Sequence, residues 1–66
     1  MNLLINDSEK TIDAPCTVAQ LLLRLNYQSQ SVAVAVDGQF IPKSMRERAL
    51  LTEGATVEIV SPMQGG

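Results

Sequence analysis

The sequence predicts a two-layer α+β domain, one mixed sheet covered by one helix, and three observations carry that expectation. Short apolar runs with strand-like alternation stand at both ends of the chain, Leu3-Leu4-Ile5 and Thr56-Val57-Glu58-Ile59-Val60. A third alternating run, Val32-Ala33-Val34-Ala35-Val36, leads into the hairpin signal Asp37-Gly38. Between the first and third runs lies a single amphipathic helix pattern, opened by Thr17.

Taken in order, residues 1–6 read as a strand with Met1, Leu3 and Ile5 on one face and Leu4 on the other. Asn6-Asp7-Ser8-Glu9 is a turn cluster, because Asn and Asp tolerate the left-handed region and hydrogen-bond their own backbone. Lys10-Thr11-Ile12-Asp13 is then the returning strand, with Ile12 inward. Thr17 caps the helix, and Gln20 three residues later completes a capping box. Cys16 and Leu21 occupy the two positions of a hydrophobic staple, which gives the thiol a packing role ahead of a reactive one. Val18, Leu21, Leu22 and Leu25 form the inward stripe, Gln20 and Arg24 face water, and Asn26 ends the helix.

The run at 32–36 puts valines on one face and alanines on the other, leaving that second face thin. Gln39-Phe40-Ile41 returns after the turn, and Pro42 closes it as a short edge strand. Residues 44–51 are expected to form a helical or 3-10 turn with Met45, Ala49 and Leu50 inward. Lys43, Arg46 and Arg48 are expected on a solvated face. The last strand should bury Val57 and Ile59 and expose Glu58 and Val60.

The element order is therefore β-β-α-β-β with one main helix. A helical crossover requires a parallel pair somewhere in the sheet. Placing the first and last strands side by side at the centre buries both strongly apolar runs under the helix. The weakly apolar second strand and the Pro-ended fourth then take the edges. This is the β-grasp, or ubiquitin-like, arrangement, expected over residues 1–60, with residues 61–66 as a flexible C-terminal tail.

Composition narrows the function. With 45% hydrophobic and 18% charged residues, the 66-residue chain is globular rather than disordered. A single cysteine permits no internal disulfide, which fits a reducing, cytoplasmic setting. Net charge is −2 and the basic residues are scattered, so nucleic acid is not an expected partner. No apolar run approaches the ~18 residues of a membrane span, and strand-like sequence begins too near Met1 for a signal peptide. Histidine is absent, so no Ser-His-Asp or Cys-His system can be assembled, and a zinc site would have to rely on one cysteine and carboxylates. The chain is expected to be no enzyme, with neither catalytic residues nor a metal site.

What remains is the end of the chain, Ser61-Pro62-Met63-Gln64-Gly65-Gly66. A Gly-Gly terminus alone is what any frayed end offers. Placed a few residues after the central strand of a sheet, it becomes a carboxylate held out on a slender stalk. Gly66 leaves its carbonyl unhindered, and Gly65 lets the backbone pass where a Cβ would clash. Such a carboxylate can attack a nucleotide phosphate to give an acyl-adenylate, which a sulfur or nitrogen nucleophile then opens.

Over essentially its full length the sequence resembles the ThiS family, the sulfur carrier proteins of thiamine biosynthesis. The resemblance lies in Val34-Ala35-Val36-Asp37-Gly38, Ile41-Pro42-Lys43-Ser44, Gly54-Ala55-Thr56-Val57-Glu58-Ile59-Val60 and Met63-Gln64-Gly65-Gly66. Asp37-Gly38 stands where the family favours Asn-Gly, Pro42-Lys43 where it often has Pro-Arg, and Ala55 where it usually has Asp. The aromatic residue common near Met45 is missing. The resemblance implies that an E1-like adenylyltransferase (ThiF type) activates the Gly66 carboxylate with ATP and magnesium, which this chain does not itself bind. A sulfur-donor system fed by a cysteine desulfurase then yields a thiocarboxylate, and thiazole synthase (ThiG type) takes its sulfur. Gly65, Gln64 and Met63 would thread the partner's active site.

Leu4 and Val60 both point outward and are expected as neighbours across the parallel pair, forming with Met63 an apolar docking patch beside the carboxylate. Three alternatives stay open. They are a carrier of another sulfur pathway, of the molybdopterin synthase small-subunit type, a ubiquitin-like protein modifier, and a binding module with an inert tail.

Overall fold

The first hairpin forms around a turn whose handedness suits strand twist. In the computed structural model, which describes residues 1–61, β1 (Asn2–Ile5) pairs antiparallel with β2 (Ser8–Thr11), Ile5 lying opposite Ser8. Asn6 and Asp7 carry positive φ, 49° and 68°, the mirror-image turn in which Asn and Asp are among the few residues tolerated. The turn is thus shorter than the four-residue cluster expected at 6–9, and Ser8 and Glu9 already belong to β2. Ile12 falls just beyond the strand and packs, partly buried, against the core.

Helix α1 (Val18–Arg24) starts at the predicted cap. The Thr17 hydroxyl accepts from Gln20 N at 3.1 Å, and the Gln20 side chain accepts from Thr17 N at 2.9 Å. The other first-turn donors find backbone acceptors outside the helix: Val18 N reaches Ala49 O and Ala19 N reaches Arg46 O. The N–H groups that a helix start leaves without intrahelical partners are therefore satisfied. Asn26 lies just past the other end with φ of 64°. Val18, Leu21 and Leu22 are buried and Leu25 packs partly buried against them, as the stripe requires.

Strands β3 (Ala33–Val36) and β4 (Gln39–Ile41) form the second hairpin about Asp37-Gly38, both at positive φ. Strand β5 (Thr56–Val60) completes a five-stranded sheet of order β2-β1-β5-β3-β4. It runs parallel to β1 and antiparallel to β3, so β2 and β4 form the edges. Val57 and Ile59 join Leu3, Ile5 and Val34 on the covered face, against Val18, Leu21, Leu22 and Cys16. Burying each such leucine contributes about 1.5–3 kcal/mol, and Cys16, wholly enclosed, contributes as a small apolar side chain.

Residues 43–51 depart from expectation. A 3-10 turn does form, at Lys43–Met45, but Met45 and Leu50 are 44% and 63% exposed. The buried residues are instead Arg46 and Leu51, with Ala49 partly buried. Arg46 was expected on a solvated face with Lys43 and Arg48; those two are exposed, but Arg46 is 2% exposed. Its guanidinium donates to Ser29 O, to Ser29 Oγ at 3.0 Å and to Val32 O at 2.6 Å, while its Nε has no partner. The fork geometry of arginine explains the outcome, because one planar group can reach two carbonyls of the loop after α1 at once. The reversed face follows from the helix start as well, since the carbonyls of Arg46 and Ala49 are committed to Ala19 and Val18.

Replacing Arg46 with alanine strands the Ser29 and Val32 carbonyls and opens a void. Thermal unfolding should show a loss of about 2–4 kcal/mol, whereas Arg48→Ala should stay within about 0.5 kcal/mol of wild type. Thr17→Ala removes the cap and should cost about 1 kcal/mol in the same measurement.

Candidate functional site

The site begins with the position of β5. A strand at the sheet centre has a ladder on each side, which fixes both its course and the point where the chain leaves it. Toward β3 the register sets Val60 opposite Ala33 and Glu58 opposite Ala35. Toward β1 it sets Thr56 opposite Leu4 and Val57 opposite Ile5. Ser61 is exposed and follows directly on Val60.

This register corrects the expected patch. Leu4 does face away from the helix, partly exposed, but its partner is Thr56 rather than Val60. Val60 lies four steps along the strand from Thr56, about 13 Å at the usual rise, so Leu4 and Val60 are not neighbours. Met63, expected as the third member, lies outside the described residues, as do Gln64, Gly65 and Gly66.

Val60 has other company. On the outer face it adjoins the exposed Ala33, and Phe40 on β4 sits opposite Ala35 one step further across the sheet. Phe40 and Val60 are 65% and 62% exposed, an unusual state for two large apolar side chains on one small face. Between them the small side chain of Ala33 leaves room for a groove of about 390 Å³, lined also by Val32, Lys43 and Arg46. The charged groups in this lining are both cationic. Lys43 Nζ donates to Gln30 O at 3.0 Å, and Arg46 is held by the carbonyls already described, so the groove wall is tied to the loop at 29–32.

Phe40 and Ala33 were not among the expected surface residues, although the sequence held the signal. A two-residue turn at Asp37-Gly38 puts Phe40 opposite Ala35 and Ile41 opposite Val34, and with Val34 inward Phe40 must point outward. Among the described residues no group of three or more His, Cys, Asp or Glu is placed to hold a metal, and no helix is long and apolar enough to cross a membrane.

A five-stranded sheet of order β2-β1-β5-β3-β4 covered by one helix is the β-grasp arrangement of small ubiquitin-like domains. More narrowly, the chain belongs to the ThiS family, whose model matches residues 3–66. The crystal structure of a thiamine biosynthesis protein (ThiS) from Geobacter metallireducens superimposes with a TM-score of 0.85 and 29% identity, each chain covered in full. A solution structure of a thiamine biosynthesis protein from the same organism gives 0.83 and 29%, covering all of this chain and 88% of that one. A thiazole synthase from Paramagnetospirillum magneticum is 36% identical over all 66 residues. The present chain spans only 20% of that protein's length.

Because Val60 and Phe40 are exposed and bury little, Val60→Ser and Phe40→Ser should each change unfolding free energy by no more than about 0.5 kcal/mol. Val57→Ser, one step inward on the same strand, should unfold far more readily. Denaturant titration of the three variants checks whether the outer face is free of a structural role.

Proposed function

We propose that the protein is a sulfur carrier of thiamine biosynthesis and that its reactive atom is the Gly66 carboxyl carbon. The observation that carries this reading is the central position of β5, which leads within six residues to Gly65-Gly66. Family membership supports the pathway. The chain is read as a co-substrate rather than an enzyme, working in the cytoplasm, with residues 61–66 as its tail.

In the proposed cycle an E1-like partner binds ATP and magnesium and the Gly66 carboxylate attacks the α-phosphorus, releasing pyrophosphate and leaving an acyl-adenylate. Hydrosulfide released by the donor system then attacks the acyl carbon, the C–S bond forming as the C–O bond to AMP breaks, and the carrier leaves as a thiocarboxylate. The partner supplies positioning and electrostatic stabilisation, and this chain supplies the acyl group and a rigid handle. A thiazole synthase of ThiG type is the proposed acceptor. Support comes from the Paramagnetospirillum thiazole synthase, which has a stretch like this entire chain within its own length.

The docking face proposed for the activating enzyme is the outer face around Val60, Phe40 and Ala33, continuous with the root of the tail. An apolar patch of this kind at the end of β5 would let the partner hold the body while it works on the carboxylate. Removing one well-packed apolar contact from such a face costs about 1–2 kcal/mol of binding, so Phe40→Ser should raise the carrier's KM for adenylation roughly tenfold. Leu4→Ser, at the far end of the sheet, should leave it unchanged.

Intact mass after incubation with a ThiF-type enzyme, ATP, magnesium and a sulfur donor tests the function itself. Replacement of one oxygen by sulfur at Gly66 is the expected result. Adducts on other proteins would make the chain a modifier, and an unchanged mass where an authentic carrier reacts would make the tail inert. Deleting Gly66 should abolish the mass change and leave thermal unfolding unaltered.

A further inference from the structure

Strand β1 ends at Ile5, and the chain then turns away through Asn6 and Asp7 into β2. Strand β5 continues past this point to Val60. On the β1 side the main-chain pairing runs from Leu4 N to Ala55 O and from Asn6 N to Val57 O, both at 2.9 Å. The next residue of β5 facing that side is Ile59, which is 5% exposed and has no β1 residue left to pair with. Its backbone groups are met by a side chain instead. Asn6 Oδ1 accepts from Ile59 N at 2.8 Å, and Asn6 Nδ2 donates to Ile59 O at 3.1 Å.

A carboxamide offers the same donor and acceptor as a peptide group, so this pair is a strand contact made by a side chain. We propose that Asn6 is a positioning residue: its amide lengthens β1 by one step and fixes the end of β5 from which the tail leaves. The two hairpin turns divide the work. Asp37 Oδ1 accepts from Thr56 N at 2.9 Å, so one turn holds the start of β5 and the other holds its end. Only the end adjoins the tail. On the carrier reading the reactive carboxylate belongs to a residue a few positions along the chain from Ile59, so a frayed end of β5 lowers the fraction of docked complexes with the carboxylate in place. This consequence rests on the carrier reading; the clamp itself does not.

The positive φ of Asn6 makes glycine the informative substitution, because it keeps the turn unstrained while deleting the amide. Asn6→Asp is the graded variant, retaining an acceptor for Ile59 N but no donor for Ile59 O. In Asn6→Gly, amide exchange at Ile59 should quicken by roughly tenfold or more, with Leu21 and Leu22 in α1 unaffected, and Asn6→Asp should fall between. With a ThiF-type enzyme and ATP, adenylation by Asn6→Gly should show kcat lowered severalfold at unchanged KM, because the docking face is intact, and Asn6→Asp should recover part of it. Equal exchange at Ile59 in wild type and Asn6→Gly, or an acceleration shared by the whole core, would overturn the clamp. Faster Ile59 exchange with kcat unchanged would overturn the positioning role. A wild-type chain that is never adenylated would reject the carrier reading, and the exchange data would still decide the clamp.

Discussion

The parallel contact between β1 and β5 is the constraint from which the rest of the structure follows. Two hairpins, each closed by its own turn, have no reason to share a sheet until β5 enters between them. Once it does, Leu3 and Ile5 from one side and Val34 from the other come under the same helix with Val57 and Ile59. The helix needs only seven residues because the sheet supplies most of the wall it packs against. The same insertion leaves Val60 on the uncovered face, at the end of the strand.

A second organising element is less visible. The irregular stretch between β4 and β5 closes the domain with backbone and one arginine, not with a regular element. Carbonyls at 46 and 49 receive the first helical N–H groups, Leu51 N returns a bond to Cys16 O, and the Arg46 guanidinium gathers the loop after the helix. A full charge is thus buried against carbonyl dipoles, a tolerable arrangement because arginine can satisfy several acceptors with one planar group.

Most of the fold was legible because it is written in local signals. The capping box at Thr17 and Gln20, the left-handed Asn26, the Asp37-Gly38 turn and the valine-alanine alternation each fix a structure within a few residues. The sheet order followed from asking which apolar runs most needed burial. What failed was long-range. Arg46 looks solvated in sequence because its partners, Ser29 and Val32, are carbonyls that no residue type announces. Leu4 and Val60 were paired by direction alone, but facing the same way does not fix register, and the offset is set where β1 breaks off at Asn6. The outer-face position of Phe40 could have been derived, since its register depends only on the adjacent two-residue turn. Of the candidate site, the Gly-Gly pair was plain in the sequence, while the adjacency of Val60 to Ala33 required the sheet.

The central place of β5 also has a mechanical meaning. Force applied at Val60 along the axis of that strand meets a ladder on each side. Its load is carried on one flank by the bonds to β1 and Asn6 and on the other by those to β3 and Asp37. Bonds lying across the direction of pull are loaded in shear and must yield together, whereas an edge strand peeled away would lose them one at a time. A small domain anchored in this way can be tugged by its end without giving up its shape.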